Sequence, residues 1–357
     1  MKKFMKVFTP IIIMIIVLAV VFAAGGMVYL TANRYSPDEP ESVDVFGAPS
    51  GNVLPGDTIT LMTYNIGYGI KDNAHDSYED GGKTVIADSL ELVSENVEGA
   101  AQLAAKENAD VIFFQDVDID SKRSFELDEA SLLAGEISGM ASVFSVNQLC
   151  LYAPYPVTNN LGYVRSGSLT LTKFPADSAE RRPFVAEAGW PDQIWSRQPC
   201  MLVQRLQLDD STKELVLVNA EFEKYASTEM KVSQYKALCE FMQIEYAKGN
   251  YVIAGGGFYS ALPSVAKNKY TADEGSAFVP AELSTDILTG GWKYCTDDSI
   301  PTMRLMNEPY SESSTSVFVT DGFITSPNTI VESTKTVDSD FRYSAHNPVV
   351  TTVTLVK

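Results

Sequence analysis

Five polar residues stand at the ends of short apolar segments, where α/β proteins build their sites. They are Asn65, Asp116, Glu221, Asp321 and His346. Carboxylate and amide oxygens are ligands that divalent cations prefer, and an aspartate beside a histidine can fix the imidazole tautomer. Each residue alone has an ordinary alternative, because a polar residue after a strand is commonly a turn former or a cap. The chemical prediction therefore depends on the order of these residues along the chain.

The elements that would position these residues alternate between strands and helices. Apolar residues spaced three and four apart predict amphipathic helices over Ile86–Lys106 and Glu229–Ala247. Short apolar runs predict strands over Thr58–Asn65, Asp110–Gln115, Ser168–Thr172, Met201–Leu206, Glu214–Asn219, Tyr251–Ala254, Ser316–Ile324 and Pro348–Leu355. This alternation is typical of one α/β domain, which we place at residues 57–357.

Seven segments, taken in chain order, resemble the motif series of the endonuclease/exonuclease/phosphatase superfamily, the deoxyribonuclease-like metal-dependent phosphodiesterases. That series is T-x-N-I, Q-E, G-x-x-x-L-S-K/R-F-P, N-x-H, G-G-D-F-N, D-x-F/I and S-D-H-x-P-V. The matching segments are Thr63–Ile66, Gln115-Asp116, Gly167–Pro175, Asn219–Glu221, Gly255–Tyr259 (GGGFY), Asp321–Phe323 and Ser344–Val349. The resemblance implies an α/β four-layer sandwich, with two mixed β-sheets face to face and helices outside.

Four positions depart from the family pattern. Gly257 stands where the family has the aspartate that orients or deprotonates the attacking water. Tyr259 replaces the asparagine that holds the scissile phosphate, and Glu221 replaces a histidine that donates to a phosphoryl oxygen. Ala345 replaces the carboxylate before His346. A carboxylate at 221 would repel phosphate, so these changes together predict the loss of nearly all turnover.

The retained family positions are Asn65, Asp116, Asp321 and His346. By resemblance, Asp116 would be the principal Mg²⁺ ligand with Asn65 close by, and Asp321 would orient His346. We expect a weak metal site, because aspartate is one methylene shorter than the family's glutamate. The favoured interpretation is a catalytically impaired pseudoenzyme that acts as a binding module. The alternative is a weak or altered Mg²⁺-dependent phosphodiesterase or phosphatase, with Glu221 recruited as a substitute carboxylate.

The segment Asp116–Ser124 (DVDIDSKRS) supplies three carboxylates and Arg123 beside the expected metal position. It is open to two interpretations, a cation-binding loop or an acidic surface turn.

The first 34 residues predict a membrane segment. Three lysines precede an apolar stretch from Pro10 to Leu30, long enough to cross a bilayer, and they favour a cytoplasmic N-terminus. The alternative is a cleaved signal peptide, since Val21–Ala24 offers small residues at a cleavage point. We favour the anchor because the apolar run continues through Met27–Leu30. Both interpretations place the following domain outside the cytoplasm.

The exported part is acidic, which limits its partners. The first 34 residues contain four of the 27 basic residues and no acid, so the remainder carries 23 basic against 46 acidic residues, a formal charge near −23. Such a surface repels nucleic acid. We therefore expect an unknown phosphoester ligand or a protein partner. Residues 35–56, rich in Pro, Gly, Ser and acids, are interpreted as a linker.

Four cysteines, Cys150, Cys200, Cys239 and Cys295, are widely spaced and form no CxxC pair. This spacing disfavours a zinc site. An exported chain could pair them as disulfides in any of three ways, and buried free thiols are equally compatible with the sequence.

Overall fold

The computed structural model describes residues 2–209, 211–266, 269–270, 276 and 278–357, and side chains from Phe8 onward. Within these ranges the α-helices are Lys2–Ala32, Leu90–Glu107, Glu129–Glu136 and Thr228–Ala247. Short 3₁₀ helices occur at Gly67–Gly69, Tyr78–Asp80, Lys122–Ser124 and Asp192–Ile194.

Two seven-stranded sheets form the centre of the molecule. Sheet I has the spatial order Thr329–Thr336, Val349–Leu355, Thr58–Asn65, Val111–Asp118, Gly162–Thr172, Ala141–Ala153 and Val45–Phe46. Sheet II has the order Glu41–Ser42, Ser178–Pro183, Cys200–Gln207, Glu214–Glu221, Tyr251–Gly257, Asp321–Thr325 and Lys293–Cys295. Both are mixed, because each contains one parallel strand pair among antiparallel pairs. Two further two-stranded ladders pair Ser260–Ala261 with Ala281–Glu282 and Met303–Arg304 with Val317–Phe318.

The inner faces of the sheets pack against each other. Leu61 and Phe113 of sheet I meet Leu217, Ile253 and Phe323 of sheet II in one buried apolar cluster. Alternate residues of the same strands face outward and bury the helices, because successive side chains on a strand point to opposite faces. The helices Leu90–Glu107 and Glu129–Glu136 cover sheet I, and Thr228–Ala247 covers sheet II. The predicted four-layer sandwich is confirmed.

Most predicted elements differ in their bounds from those in the structure, and two of the differences have a clear physical cause. The first domain helix begins at Leu90 rather than Ile86, because the Ser89 hydroxyl caps it by accepting a hydrogen bond from the Leu92 amide at 3.2 Å. The predicted strand Ser316–Ile324 is two strands belonging to different sheets. The chain changes partners between them, where the Thr302 hydroxyl accepts from the amides of Thr320 and Asp321.

Sequence periodicity did not indicate the longest strand, Ala141–Ala153. Its first residues alternate regularly in burial, but the buried positions include Ser145 and Asn147 as well as Val143. Polar side chains on the buried face conceal the usual alternation of apolar and polar residues. The strand therefore borders the polar space between the sheets that forms the candidate site.

The segment 35–56 lies against the domain. Glu41–Ser42 adds an edge strand to sheet II, and Val45–Phe46 adds one to sheet I. Val53 is buried in the core between the sheets. One short segment thus supplies an edge strand to each of the two sheets.

The N-terminal helix contains a 25-residue stretch, Phe8–Ala32, with mean hydropathy 3.0 and none of its most apolar window buried. It is a candidate membrane span by length and composition, and a signal sequence has the same properties. All four cysteines lie in the described ranges, and each is a buried free thiol. Burial raises the pKa of all four thiols.

Candidate functional site

A layer of polar side chains lies between the sheets just below the site. The amide of Gln115 donates to Asn219 Oδ1 at 2.8 Å and to Thr63 Oγ1 at 3.0 Å. Asn219 Nδ2 donates to the carbonyl oxygens of Phe114 and Leu169, both at 3.1 Å. These contacts join both sheets, and they satisfy polar groups that would be costly to bury unpaired. One residue from each of three motif segments thus has a structural role here.

Asp116 reaches the site through a backbone irregularity. The pairing of Val111–Asp118 with Gly162–Thr172 shifts register between Phe114 and Val117. Within this bulge Asp116 adopts a φ of +53°, which is uncommon for a residue with a side chain. Bulges re-aim side chains in this way and are frequent beside functional sites.

Arg197 is the centre of the site. Its guanidinium donates to Glu221 Oε1 at 3.1 Å through Nη1 and to Asp116 Oδ1 through Nη2. The ammonium of Lys71 lies 3.5 Å from the other oxygen of Asp116. The Asp116 and Glu221 carboxylates are almost fully buried, with 1% and 3% exposure. No motif in the sequence indicated Arg197 or Lys71, so reasoning from the sequence missed both cations.

Glu221 also accepts from neutral donors. Asn147 Nδ2 donates to Oε2, and Asn65 Nδ2 donates to Oε1, both at 3.2 Å. Burial and the neighbouring Asp116 carboxylate raise the pKa of Glu221 to about 8, although Arg197 opposes the shift. One guanidinium shared by two buried carboxylates cannot stabilise both charges fully, so Glu221 holds its proton more tightly than an isolated glutamic acid would.

Tyr259 fills the space beside the ion cluster, which consists of Arg197, Lys71, Asp116 and Glu221. Its hydroxyl lies 3.4 Å from Glu221 Oε1 and accepts from Asn65 Nδ2 at 3.2 Å. Its ring packs edge-on against His346, with ring centroids 5.8 Å apart. Burial raises the pKa of Tyr259 well above its usual value, and the nearby Asp116 and Glu221 carboxylates add to the shift. The neutral phenol therefore lies between the ion cluster and His346 and separates them.

The Asp321–His346 pair has the geometry that the resemblance implied. Both carboxylate oxygens of Asp321 lie 3.1 Å from His346 Nδ1. The hydroxyls of Thr302 and Thr320 donate to Asp321 Oδ2 at 2.7 and 3.0 Å. An oriented carboxylate fixes the protonated nitrogen at Nδ1, which leaves Nε2 as the imidazole's second functional atom. The catalytic roles of both residues stay predictions.

Of the three glycines at 255–257, packing requires the first two and leaves room for a side chain at the third. A Cβ on Gly255 would lie 2.4 Å from the Phe323 ring, and one on Gly256 would lie 1.8 Å from the Ala220 carbonyl oxygen. A Cβ on Gly257 would lie 3.4 Å from Asp321 Oδ1, an ordinary contact distance. Packing therefore requires the first two glycines, whereas nothing in the backbone requires glycine at 257.

The segment Asp116–Ser124 is neither a cation loop nor a surface turn. Asp118 and Arg123 are buried and form a two-point ion pair, with both N–O distances 2.8 Å. The hydroxyls of Ser121 and Ser124 each donate to Asp118 at 2.8 Å. Arg123 also stacks on the Tyr68 ring, 3.3 Å from its centroid. The Asp118 carboxylate is thus committed to structure.

The donor set does not fit a divalent metal ion. Both oxygens of Asp116 contact cationic side chains, and Glu221 accepts from Arg197. Asn65 Oδ1 accepts from the Gly67 amide at 2.9 Å, and Ala345 has no ligand atom in its side chain. Across the described ranges, no group of three or more His, Cys, Asp or Glu side chains is arranged to hold a metal. Mg²⁺ needs several oxygens in near-octahedral geometry, and here those oxygens bind the protein's own cations.

A cavity of about 280 Å³ opens above the ion cluster. Lys71, Arg197 and Lys224 contribute cations to its wall, and Glu79 and Glu223 contribute carboxylates. Its aromatic lining comes from Tyr155, Tyr225 and Tyr259. The cavity therefore has the size for a small ligand and groups of both charges to orient it.

Solved structures share this architecture. An endonuclease/exonuclease/phosphatase from Beutenbergia cavernae DSM 12333 matches with a TM-score of 0.59 at 14% identity, covering 84% of this chain and 72% of that chain. D. rerio TDP2, complexed with a single-strand DNA product, matches with a TM-score of 0.50 at 13% identity, covering 83% of this chain and 99% of that chain. No family model and no curated protein sequence matches. The chain therefore has the endonuclease/exonuclease/phosphatase fold, as the order of its motifs predicted.

Proposed function

We propose that this protein is a pseudoenzyme of the endonuclease/exonuclease/phosphatase fold, anchored in a membrane and acting outside the cytoplasm as a binding module. The observation that carries the proposal is the position of Arg197. Its guanidinium lies between Asp116 and Glu221, where the family resemblance would place a metal ion and the substrate phosphate.

Electrostatics supports the loss of Mg²⁺. A divalent ion within about 4 Å of the Arg197 guanidinium would meet a repulsion of roughly 8 kcal/mol at an effective dielectric constant of 20. Lys71 on the other side of Asp116 adds to this repulsion. Binding of the ion would therefore require both cations to move away from Asp116.

The missing catalytic atoms support the same conclusion. Gly257 provides no base for water, and the Tyr259 phenol fills space near Glu221 where a substrate oxygen would have to lie. General acid–base catalysis is worth about 10²–10⁴-fold, and phosphate stabilisation more, so both losses together leave no efficient hydrolase. The retained Asp321–His346 pair then serves structure or ligand binding.

The cavity supports a binding role. Its three cations can contact a phosphoester, and its carboxylates disfavour a polyanion such as nucleic acid. A small phosphoester that also carries a cationic group fits this mixed lining best. A protein partner remains the second class of ligand compatible with the acidic surface.

The alternative function, a weak Mg²⁺-dependent phosphodiesterase or phosphatase, draws support from one observation. The Asp321–His346 pair keeps a geometry suited to catalysis, with contacts of 3.1 Å. In that case Arg197 would act on the substrate phosphate rather than in place of the metal.

Hydrolysis of a generic bis-phosphodiester by the full chain in detergent, with Mg²⁺ or Mn²⁺, separates the two functions. The proposal expects the same background rate from the wild-type protein and Asp116→Ala. Metal-dependent turnover that disappears in Asp116→Ala would establish the hydrolase instead. Calorimetry with glycerophosphocholine and inorganic phosphate then tests binding, and Arg197→Gln should weaken whichever compound binds.

A further inference from the structure

The last turns of the helix Lys2–Ala32 contact the folded domain. Met27 and Leu30 pack against a group of buried apolar residues, here called the juxtamembrane cluster. The cluster consists of Val85, Cys150, Ala153, Leu161, Val164, Ile194 and Trp195. Trp190 adds a polar contact, since its indole Nε1 donates to the Thr31 hydroxyl at 3.3 Å. These contacts fix which side of the domain adjoins the helix end.

Large apolar side chains are exposed on the chain segments that adjoin this cluster. Val157 is 89% exposed and Trp190 62%, and Leu151 and Tyr152 are more than 40% exposed. These four residues are here called the apolar loop surface. They come from the hairpin around residues 151–161 and from the segment 184–199, both of which also contribute to or adjoin the juxtamembrane cluster. Several apolar residues exposed together usually mark an interaction site.

The length of the helix places this surface at membrane depth. Twenty-five helical residues span about 37 Å, whereas the hydrocarbon core is about 30 Å thick. The last turn, which carries Thr31, therefore lies in the interfacial layer. Trp190 binds Thr31, so its indole lies at the same depth. Tryptophan is enriched at this depth because its ring is apolar and its N–H is polar.

We propose that the apolar loop surface, formed by Leu151, Tyr152, Val157 and Trp190, docks on the outer face of the bilayer that holds the anchor. This inference rests on the helix lying in a membrane, and it does not depend on whether the cleft retains any catalysis. The side chains that would otherwise be exposed to water enter the interfacial layer beside the helix. Burial of apolar area drives the contact.

Docking would also orient the cleft. Tyr155 lines the cavity above Arg197 and packs against Trp195 of the juxtamembrane cluster, with ring centroids 6.1 Å apart. Arg197 follows Trp195 by two residues. The cavity mouth therefore lies beside the apolar loop surface, close to lipid headgroups. Because the exported part is strongly acidic, the contact should be apolar rather than electrostatic and should persist on zwitterionic lipid at high salt.

The first test uses tryptophan fluorescence of the full chain in phosphatidylcholine nanodiscs. Trp195→Phe with Trp292→Phe leaves Trp190 as the single tryptophan. Trp190→Phe with Trp195→Phe leaves Trp292, which packs on Tyr246 of the sheet II helix and serves as the matched control. Lipid brominated near the headgroup should reduce Trp190 emission about twofold or more, as expected for an interfacial indole, and leave Trp292 unchanged. Equal emission of Trp190 in brominated and plain lipid would overturn the proposal.

A second measurement reports on the loop that carries Val157. Val157→Cys and Ile330→Cys are labelled with a nitroxide in the full chain. Ile330 is 50% exposed on an edge strand and provides the control. The proposal expects the label at 157 to be accessible to oxygen and protected from a water-soluble nickel chelate, with the reverse at 330. Equal nickel accessibility at both sites would overturn it. Protection at 157 from both reagents, together with a doubled particle mass, would overturn it in favour of a second copy.

Discussion

Replacing Arg197 tests the central feature of the site. In Arg197→Gln the buried carboxylates of Asp116 and Glu221 lose their shared guanidinium, and only Lys71 remains beside them. Removing one partner of a buried ion pair costs about 3–5 kcal/mol, because the remaining charge is left uncompensated. Arg197 is 18% exposed, so water screens it little, and we expect the free energy of unfolding to fall by about 3 kcal/mol or more.

The same substitution should create a metal site. With the guanidinium absent, the carboxylates can bind Mn²⁺, and binding to the native state alone raises the free energy of unfolding by about 1.4 kcal/mol at ten times Kd. Urea unfolding of the detergent-solubilised chain, followed by tryptophan fluorescence with and without Mn²⁺, measures both effects. The matched control is Arg182→Gln, which removes a partly exposed ion pair with Glu180 and should cost at most about 1 kcal/mol.

A double variant provides the internal check. Arg197→Gln with Asp116→Asn removes a charge together with its partner, so it should be more stable than Arg197→Gln alone and should respond less to Mn²⁺. The reasoning is refuted if the free energy of unfolding of Arg197→Gln lies within about 1 kcal/mol of the wild-type value and does not change when Mn²⁺ is added.

Three further predictions follow from the same site. Folding raises the pKa of Glu221 from 4.5 to about 8, so its contribution to stability is complete below pH 4.5 and is lost as pH rises through 8. Glu221→Gln should flatten this decline in the free energy of unfolding, measured by urea titration at several pH values, and an unchanged dependence on pH would contradict the assigned shift. Gly256→Ala should lower the free energy of unfolding by about 3 kcal/mol, because its Cβ would lie 1.8 Å from the Ala220 carbonyl oxygen and its φ is +149°, whereas Gly257→Ala should lower it by less than about 1 kcal/mol. Comparable thermal destabilisation of both variants would count against this packing argument. Calorimetry of the wild-type chain with Mg²⁺ and Mn²⁺ should show millimolar or absent binding, and micromolar binding that is lost in Asp116→Ala and weakened in Glu221→Gln would mean that the site was rebuilt rather than lost.

The sequence by itself determined the fold class and the positions at which the chain departs from the motif series that it resembles. Strands and helices follow from local periodicity, and the order of the short motifs can be read directly along the chain. The residues Gly257, Tyr259, Glu221 and Ala345 are likewise readable from the sequence as departures from the motif series that the chain resembles. The apolar N-terminal run also needed no structure, because its length is set by bilayer thickness.

Only the tertiary structure decided what occupies the site. Arg197 is 81 residues from Asp116 in sequence and Asn147 is 74 residues from Glu221, and no local pattern records which long side chain reaches a cleft from a neighbouring loop. The direction of Asp116 likewise depends on a bulge set by pairing with a strand some 50 residues later. The segment 35–56 has a linker's composition, yet two of its dipeptides complete both sheets, because exposed strand edges accept backbone hydrogen bonds from almost any sequence. Such contacts are set by through-space geometry, which sequence periodicity does not encode.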